Sequence, residues 1–200
     1  MRDTNIVEVV EIDDVIPRLY QDQIESEVAS NRMAWFFNQE SGRRGAKVGT
    51  SYGGFSHTAF HVDDNAAPSP MTALLLPALF MFCERAGVPF SSLLRIRLGL
   101  FTRGPADVAH HNPHVDFYQP HYTALYYVND SDGDTVVFNE TFDQVSAEMS
   151  VGYTNEGRFT IARRISPRKG RMIGFPGKHY HASMHPTKSA SRMAIAFSFL

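Results

Sequence analysis

A histidine and an aspartate one residue apart, His114-Val115-Asp116, are the residues of this chain whose types and spacing best suit metal chemistry. On an extended strand, residues i and i+2 project from one face, so the imidazole and the carboxylate converge while Val115 turns into packing. A second histidine, His181, stands 65 residues beyond Asp116, and Arg192 follows it with ten residues between. Two neutral imidazoles and one carboxylate on one face of an ion leave three positions open, the donor set of non-haem Fe(II) oxygenases. An arginine near such an ion offers a planar fork of donors suited to a carboxylate, which lysine grips less specifically.

The chain holds nine histidines, six of them between His110 and His181, and several compete for these roles. His179 is two residues before His181 and shares its strand face, so the residue pattern leaves either as the distal ligand. His110 and His111 precede the His-x-Asp motif in what reads as a rim loop, where they would contact a ligand-holding residue or a substrate, or else be solvated. His57, His61, His121 and His185 have no partner pattern.

The elements that must position these groups are read from periodicity. From Leu93 onward come short β-prone runs between turn residues: Leu93 to Phe101, His114 to Asp116, Tyr122 to Asn129, Thr135 to Asn139, Ser146 to Tyr153, Arg158 to Ile165, Arg171 to Phe175 and Arg192 to Phe199. Eight runs suit a double-sheet jelly roll, with turns expected at Asp130 to Gly133 and Asn155-Glu-Gly157. Upstream, an extended opening (Ile6 to Ile12), a helix (about Ile16 to Ala29) and an apolar core helix (Met71 to Cys83, interrupted by Pro77) form a scaffold. The expected fold is mainly β, a jelly-roll core over 91–200 with N-terminal helices of the segment 1–90 packed on one sheet, in a single domain 1–200. Ser41 to Pro70 is rich in glycine, proline and small polar residues and reads as a long loop, either a lid or an anchored surface loop. A hairpin region, Asp143 to Gly170, would flank the site from the other side.

Strand parity sharpens the picture around Arg192. Arg192, Ala194, Ala196 and Ser198 share one face of the last strand, and Met193, Ile195, Phe197 and Phe199 the other. Small residues beside an arginine leave room for a ligand, while the bulky face packs against helices. On an earlier strand Thr123, Leu125 and Tyr127 point together.

Bulk properties narrow the function classes. At 200 residues with 43% hydrophobic content the chain can fill one core. Nineteen basic and 21 acidic residues, with pI near 6.5, give no footprint for nucleic acid. The cluster Arg163, Arg164, Arg168, Lys169 and Arg171 reads as a solvated face. No apolar stretch is long enough to span a bilayer, no secretory leader opens the sequence, and Cys83 is the single cysteine, so a cytoplasmic protein is expected.

At these residues the sequence resembles the Fe(II)/2-oxoglutarate-dependent oxygenase superfamily, particularly its prolyl-4-hydroxylase-like branch. His114-Val-Asp116 is similar to the family's His-x-Asp, and Tyr122 to Asn129 to its next barrel strand. Gly133-Asp-Thr-Val-Val-Phe138 is similar to the branch's GG-x-T-x-F strand, with aspartate for the second glycine. Gly170 to Phe175, Tyr180-His-Ala-Ser183 and Arg192 resemble the closing strand, distal histidine and co-substrate arginine. Arg95-Ile-Arg97 is similar to the first barrel strand, and the resemblance spans roughly Leu93 to Leu200.

The resemblance implies His114, Asp116 and His181 as ligands to Fe(II), with His181 chosen over His179. It implies 2-oxoglutarate held by Arg192 and Tyr127, with Thr123 a weaker candidate, and dioxygen as the other co-substrate; an ascorbate requirement stays open. The implied reaction is hydroxylation of a substrate carbon, first of a peptidyl proline. Alternatives are a free amino acid or other small metabolite as substrate, an inactive jelly-roll binding module, and a cupin-like metalloenzyme that does not use 2-oxoglutarate. Nucleic-acid demethylases of the superfamily carry a second arginine after the first on the last strand, and none follows Arg192.

Overall fold

The computed structural model describes residues 7–39, 53–65, 67–104, 110–143 and 159–200. Twelve elements follow in order among them: β1 (Val10–Ile12), α1 (Arg18–Val28), β2 (Phe36–Asn38), β3 (Gly54–His61), α2 (Met71–Ala86), β4 (Leu93–Thr102), β5 (Tyr122–Tyr127), β6 (Thr135–Thr141), β7 (Ile161–Ile165), β8 (Met172–Pro176), β9 (His179–Ser183) and β10 (Ser191–Phe199). They form a seven-stranded sheet in the order β1-β8-β5-β10-β4-β3-β2 and a three-stranded sheet β7-β6-β9, all pairings antiparallel. This is the jelly roll, or double-stranded β-helix, that the run of short strands implied.

Alternation along the strands divides the core into two. Ile195, Phe197 and Phe199 of β10 join Ile96 and Leu98 of β4 and Tyr126 of β5 on the helix side, where Leu75, Leu79 and Phe82 of α2 and Ile24 of α1 cover them. The opposite face of the same sheet meets the smaller sheet through Leu125, Tyr127, Ile173, Phe175 and Ala194 against Val137 and Ile165. Arg192, Ala194, Ala196 and Ser198 therefore point between the sheets, as parity required. Helix α2 tolerates Pro77 because Pro77 and Ala73 both lie on its exposed side, so the carbonyl that loses its donor stays open to water. It ends on Gly87 in the left-handed conformation (φ 66°). Among the described residues no helix is long and apolar enough to cross a membrane.

Several expectations change. The Ser41 to Pro70 loop contains the eight-residue strand β3, and the segment before Leu93 contributes β1, β2 and β3 to the larger sheet. Gly54 reads as a turn residue but serves close packing: a Cβ there would stand 2.5 Å from a ring carbon of Phe101. Residues 41–52 and 66 of that loop lie outside the described residues, as do the Ser146 to Tyr153 run and the Asn155-Glu-Gly157 turn. His114 to Asp116 is no strand. Only His114 pairs, in an isolated bridge to His181, because Pro113 before it has no N–H to extend a ladder. The basic cluster is not simply solvated: Lys169 pairs with Asp22 and Glu25 of α1, and Arg171 with Glu11 and Asp13, tying the N-terminal elements to β8.

Candidate metal and co-substrate site

One residue pair fixes the two imidazoles. The His114 N–H donates to the His181 carbonyl at 3.0 Å and the His181 N–H to the His114 carbonyl at 2.9 Å. This reciprocal bridge sets the ring centroids 4.6 Å apart. Each ring turns Nδ1 toward a backbone carbonyl, His114 to Asn112 at 3.1 Å and His181 to His179 at 3.4 Å. A proton on Nδ1 leaves Nε2 of each ring as a free donor atom. One ligand atom from each of His114, Asp116 and His181 lies within 4.8 Å of the others, and no other such group of three occurs among the described residues.

Asp116 is anchored on both oxygens: Arg95 pairs with Oδ1 through Nη2, and the Ser198 hydroxyl donates to Oδ2 at 3.2 Å. Burial pushes its carboxyl up, but Arg95, His181 and His114 outweigh burial and hold it well below the usual carboxylate range. Burial, followed by the neighbouring His114, pushes His181 down to about 3, and burial also lowers His114. At neutral pH the three groups are thus two neutral imidazoles and one carboxylate, the protonation states in which they bind a divalent ion. The donor set, one hard carboxylate and two borderline imidazoles that all line the cavity, fits Fe(II).

The rival histidines go elsewhere. His179 turns Nδ1 to the Phe138 carbonyl at 3.2 Å and stands outside the group of three. His110 donates from Nδ1 to the His111 carbonyl (2.7 Å) and sits edge-on to Phe138. His111 is buried, not on the rim: its ring packs 4.6 Å from both Phe101 and His185, and neither ring nitrogen has a hydrogen-bond partner. Neither residue lines the cavity.

The far end of the cavity is built around Arg192, which is 2% exposed. Its Nε donates to the Gly133 carbonyl at 2.7 Å and its Nη2 to Thr135 Oγ1 at 2.8 Å, and the Tyr127 hydroxyl also donates to Thr135 Oγ1 at 2.8 Å. Gly133 reaches this point because a Cβ there would stand 2.7 Å from the Met184 carbonyl oxygen. Asp132 holds the same turn by accepting from Thr187, Lys188 and Ser189, the residues that lead into β10. No carboxylate contacts Arg192 among the described residues. Burial lowers its pKa, and only Tyr127 and Asp134 oppose this. Arg192 is thus a buried cation with no anionic partner among the described residues, a costly arrangement.

Thr135 and Arg95 escaped the sequence reading as site residues. Both occupy inward positions on alternating strands, Thr135 two residues before Val137 and Arg95 between Leu94 and Ile96, and that alternation was the available signal. Thr123 is buried with its hydroxyl unpartnered, directly across from Ser198, and does not line the cavity.

No protein-family model matches the chain, and no curated protein matches it. Solved structures do. A 2OG-Fe(II) oxygenase family oxidoreductase from Burkholderia pseudomallei superposes with a TM-score of 0.63 at 12% identity, over 96% of this chain and 84% of that one. The epimerase SnoN of nogalamycin biosynthesis, described as non-haem and α-ketoglutarate-dependent, gives 0.62 at 12% identity over 98% and 79%. A Pseudomonas putida prolyl-4-hydroxylase gives 0.56 at 12% identity over 98% and 94%. At these identities the likeness is one of fold.

Proposed function

We propose that the chain is an Fe(II)- and 2-oxoglutarate-dependent dioxygenase that hydroxylates a substrate carbon. The observation that carries this reading is a buried arginine without a carboxylate partner, Arg192, lining the same cavity as a two-histidine, one-aspartate group. Similarity of fold to proteins described as oxygenases of this kind supports it.

In this reading Nε2 of His114, Nε2 of His181 and a carboxylate oxygen of Asp116 hold the ion, while Arg95 and Ser198 keep the carboxylate from rotating away. Fe(II) with 2-oxoglutarate and dioxygen supplies the oxidising chemistry. Arg192 binds the distal carboxylate of 2-oxoglutarate, and the Tyr127 hydroxyl turns from Thr135 to donate to it. Thr135 keeps the guanidinium oriented, and Thr123 is the weaker candidate because it stands beside Ser198, at the Asp116 end. Leu125, Ala194 and Ala196 wall the cavity with apolar surface that excludes water from the reacting centre.

For the substrate, a peptidyl proline is the class the sequence resemblance carries, and likeness to a prolyl-4-hydroxylase supports it. A free small molecule is the second reading, and the charge of the cavity wall, argued below, favours it. The single buried Cys83, its thiol pushed up to about 11 by burial, suits a reducing compartment, and we place the activity in the cytoplasm.

The test is anaerobic addition of Fe(II) and then 2-oxoglutarate, with the visible metal-to-ligand charge-transfer band as readout. A saturable band at one equivalent is expected. Iron binding with no band on adding 2-oxoglutarate would indicate a cupin-like metalloenzyme, and no iron binding a binding module.

A further inference from the structure

Three arginines line the cavity, Arg95, Arg97 and Arg192, against a single acidic residue, Asp116. Arg95 is committed to Asp116, and Arg192 is the group proposed for the co-substrate. Arg97 has neither a hydrogen bond nor an ion pair among the described residues. Burial lowers its pKa, Arg95 adds to that, and Asp116 alone opposes it. The charges do not balance. Three guanidinium groups and one carboxylate leave an excess of two positive charges, and adding a divalent cation together with a dianionic co-substrate leaves that excess unchanged.

The surroundings of Arg97 form a polar notch. It faces inward from β4 between Arg95 and Gly99, opposite Ala196 on one side and Thr58 on the other. Gly99 leaves open space beside it, since a Cβ there would meet only the Ala194 carbonyl, at 3.9 Å. Across from Gly99 stands Ser56, whose Oγ accepts from the Asn38 amide at 2.7 Å and so has its own proton free to donate. A guanidinium fork, a free hydroxyl proton and vacant volume are what a carboxylate needs, and a neutral backbone or ring would leave the Arg97 charge uncompensated.

We propose that Arg97, with Ser56, is the specificity site for a carboxylate-bearing small-molecule substrate, a free amino or hydroxy acid and not an internal peptide residue. This deepens the oxygenase reading and rests on it. Arg97 binds the substrate's carboxylate and thereby sets which carbon faces the ion; it takes no part in holding 2-oxoglutarate.

The experiment uses the full chain loaded with Zn(II), as an inert ion, and 2-oxoglutarate. Free α-amino and α-hydroxy acids are titrated against it, each paired with its carboxamide, with the thermal midpoint and calorimetry as readouts. At least one acid is expected to bind about 30-fold or more tightly than its amide. That preference should vanish in Arg97→Gln, return in part in Arg97→Lys and weaken several-fold in Ser56→Ala, while 2-oxoglutarate affinity stays within about two-fold of wild type. Equal binding of acids and amides, no binding of any acid at millimolar concentration, or tighter binding of end-blocked proline peptides with no response to Arg97→Gln would each overturn the proposal. Failure of the oxygenase reading shows separately, as absence of the charge-transfer band in wild-type protein with Fe(II).

Discussion

At the scale of single residues, the candidate ligands differ in what their removal leaves behind. His114→Ala and His181→Ala each delete one neutral donor, and Asp116→Ala also strands the Arg95 guanidinium. Two remaining protein donors are too few to hold a divalent ion against water, so each variant is expected to lose stoichiometric Fe(II) binding, measured by metal analysis after desalting. His179→Ala should retain it, since His179 is tied to the Phe138 carbonyl. Iron kept by His181→Ala and lost by His179→Ala would exchange their roles. The co-substrate end divides similarly. Arg192→Ala should weaken 2-oxoglutarate binding by about 2 to 5 kcal/mol, the cost of leaving a buried carboxylate without its charged partner. Tyr127→Phe removes one neutral donor and should cost about 0.5 to 1.5 kcal/mol. Calorimetry on the metal-loaded variants reads both, and equal affinities for wild type and Arg192→Ala would move the co-substrate elsewhere.

At the scale of elements, strand β3 governs how closely Phe101 can approach. Phe101 lines the cavity, packs on His111 and His185, and lies 5.9 Å beneath the Arg192 guanidinium. A methyl at Gly54 would have to displace that ring. Gly54→Ala is therefore expected to cost about 1 to 3 kcal/mol in urea unfolding and to weaken 2-oxoglutarate binding; an unchanged midpoint would mean the ring has room to turn. The same strand shows where the sequence was legible and where it was not. β10 was readable because one face is uniformly bulky and the other small or polar, as suits a strand between two different layers. β3 offers Gly54 and Ser56 where a buried strand usually has branched apolar residues, because that part of the strand borders the cavity and a bulky ring. His114 and Asp116 were legible from residue type and spacing, whereas the choice of His181 over His179 came from the family resemblance. The Arg95 and Thr135 contacts were not legible, since they depend on which strands become neighbours across the sheets.

At the scale of the whole molecule, buried neutral histidines link stability to acidity. Burial, with His185 and Arg192 nearby, holds His111 down to about 3, against about 6.5 in an unfolded chain. Between those values the unfolded state binds a proton that the native state excludes. Stability is therefore complete above about pH 6.5 and falls as the pH drops through the window toward 3. At pH 5 this one group withdraws about 2 kcal/mol. Urea unfolding of metal-free protein at pH 7 and pH 5 should show that loss, and His111→Phe, which keeps the stacking against Phe101 and His185, should shrink it. An identical loss in the variant would assign the effect to other groups.

The reciprocal backbone pair between His114 and His181 reaches further than the spacing of two rings. Because main-chain hydrogen bonds set that spacing, the donor atoms are preorganised before any ion arrives, and coordination needs little rearrangement. A chelator should then strip the ion and leave a folded apoprotein that reloads at once. In that respect the site is a socket built into the frame, in contrast to small zinc domains whose chain folds around its metal.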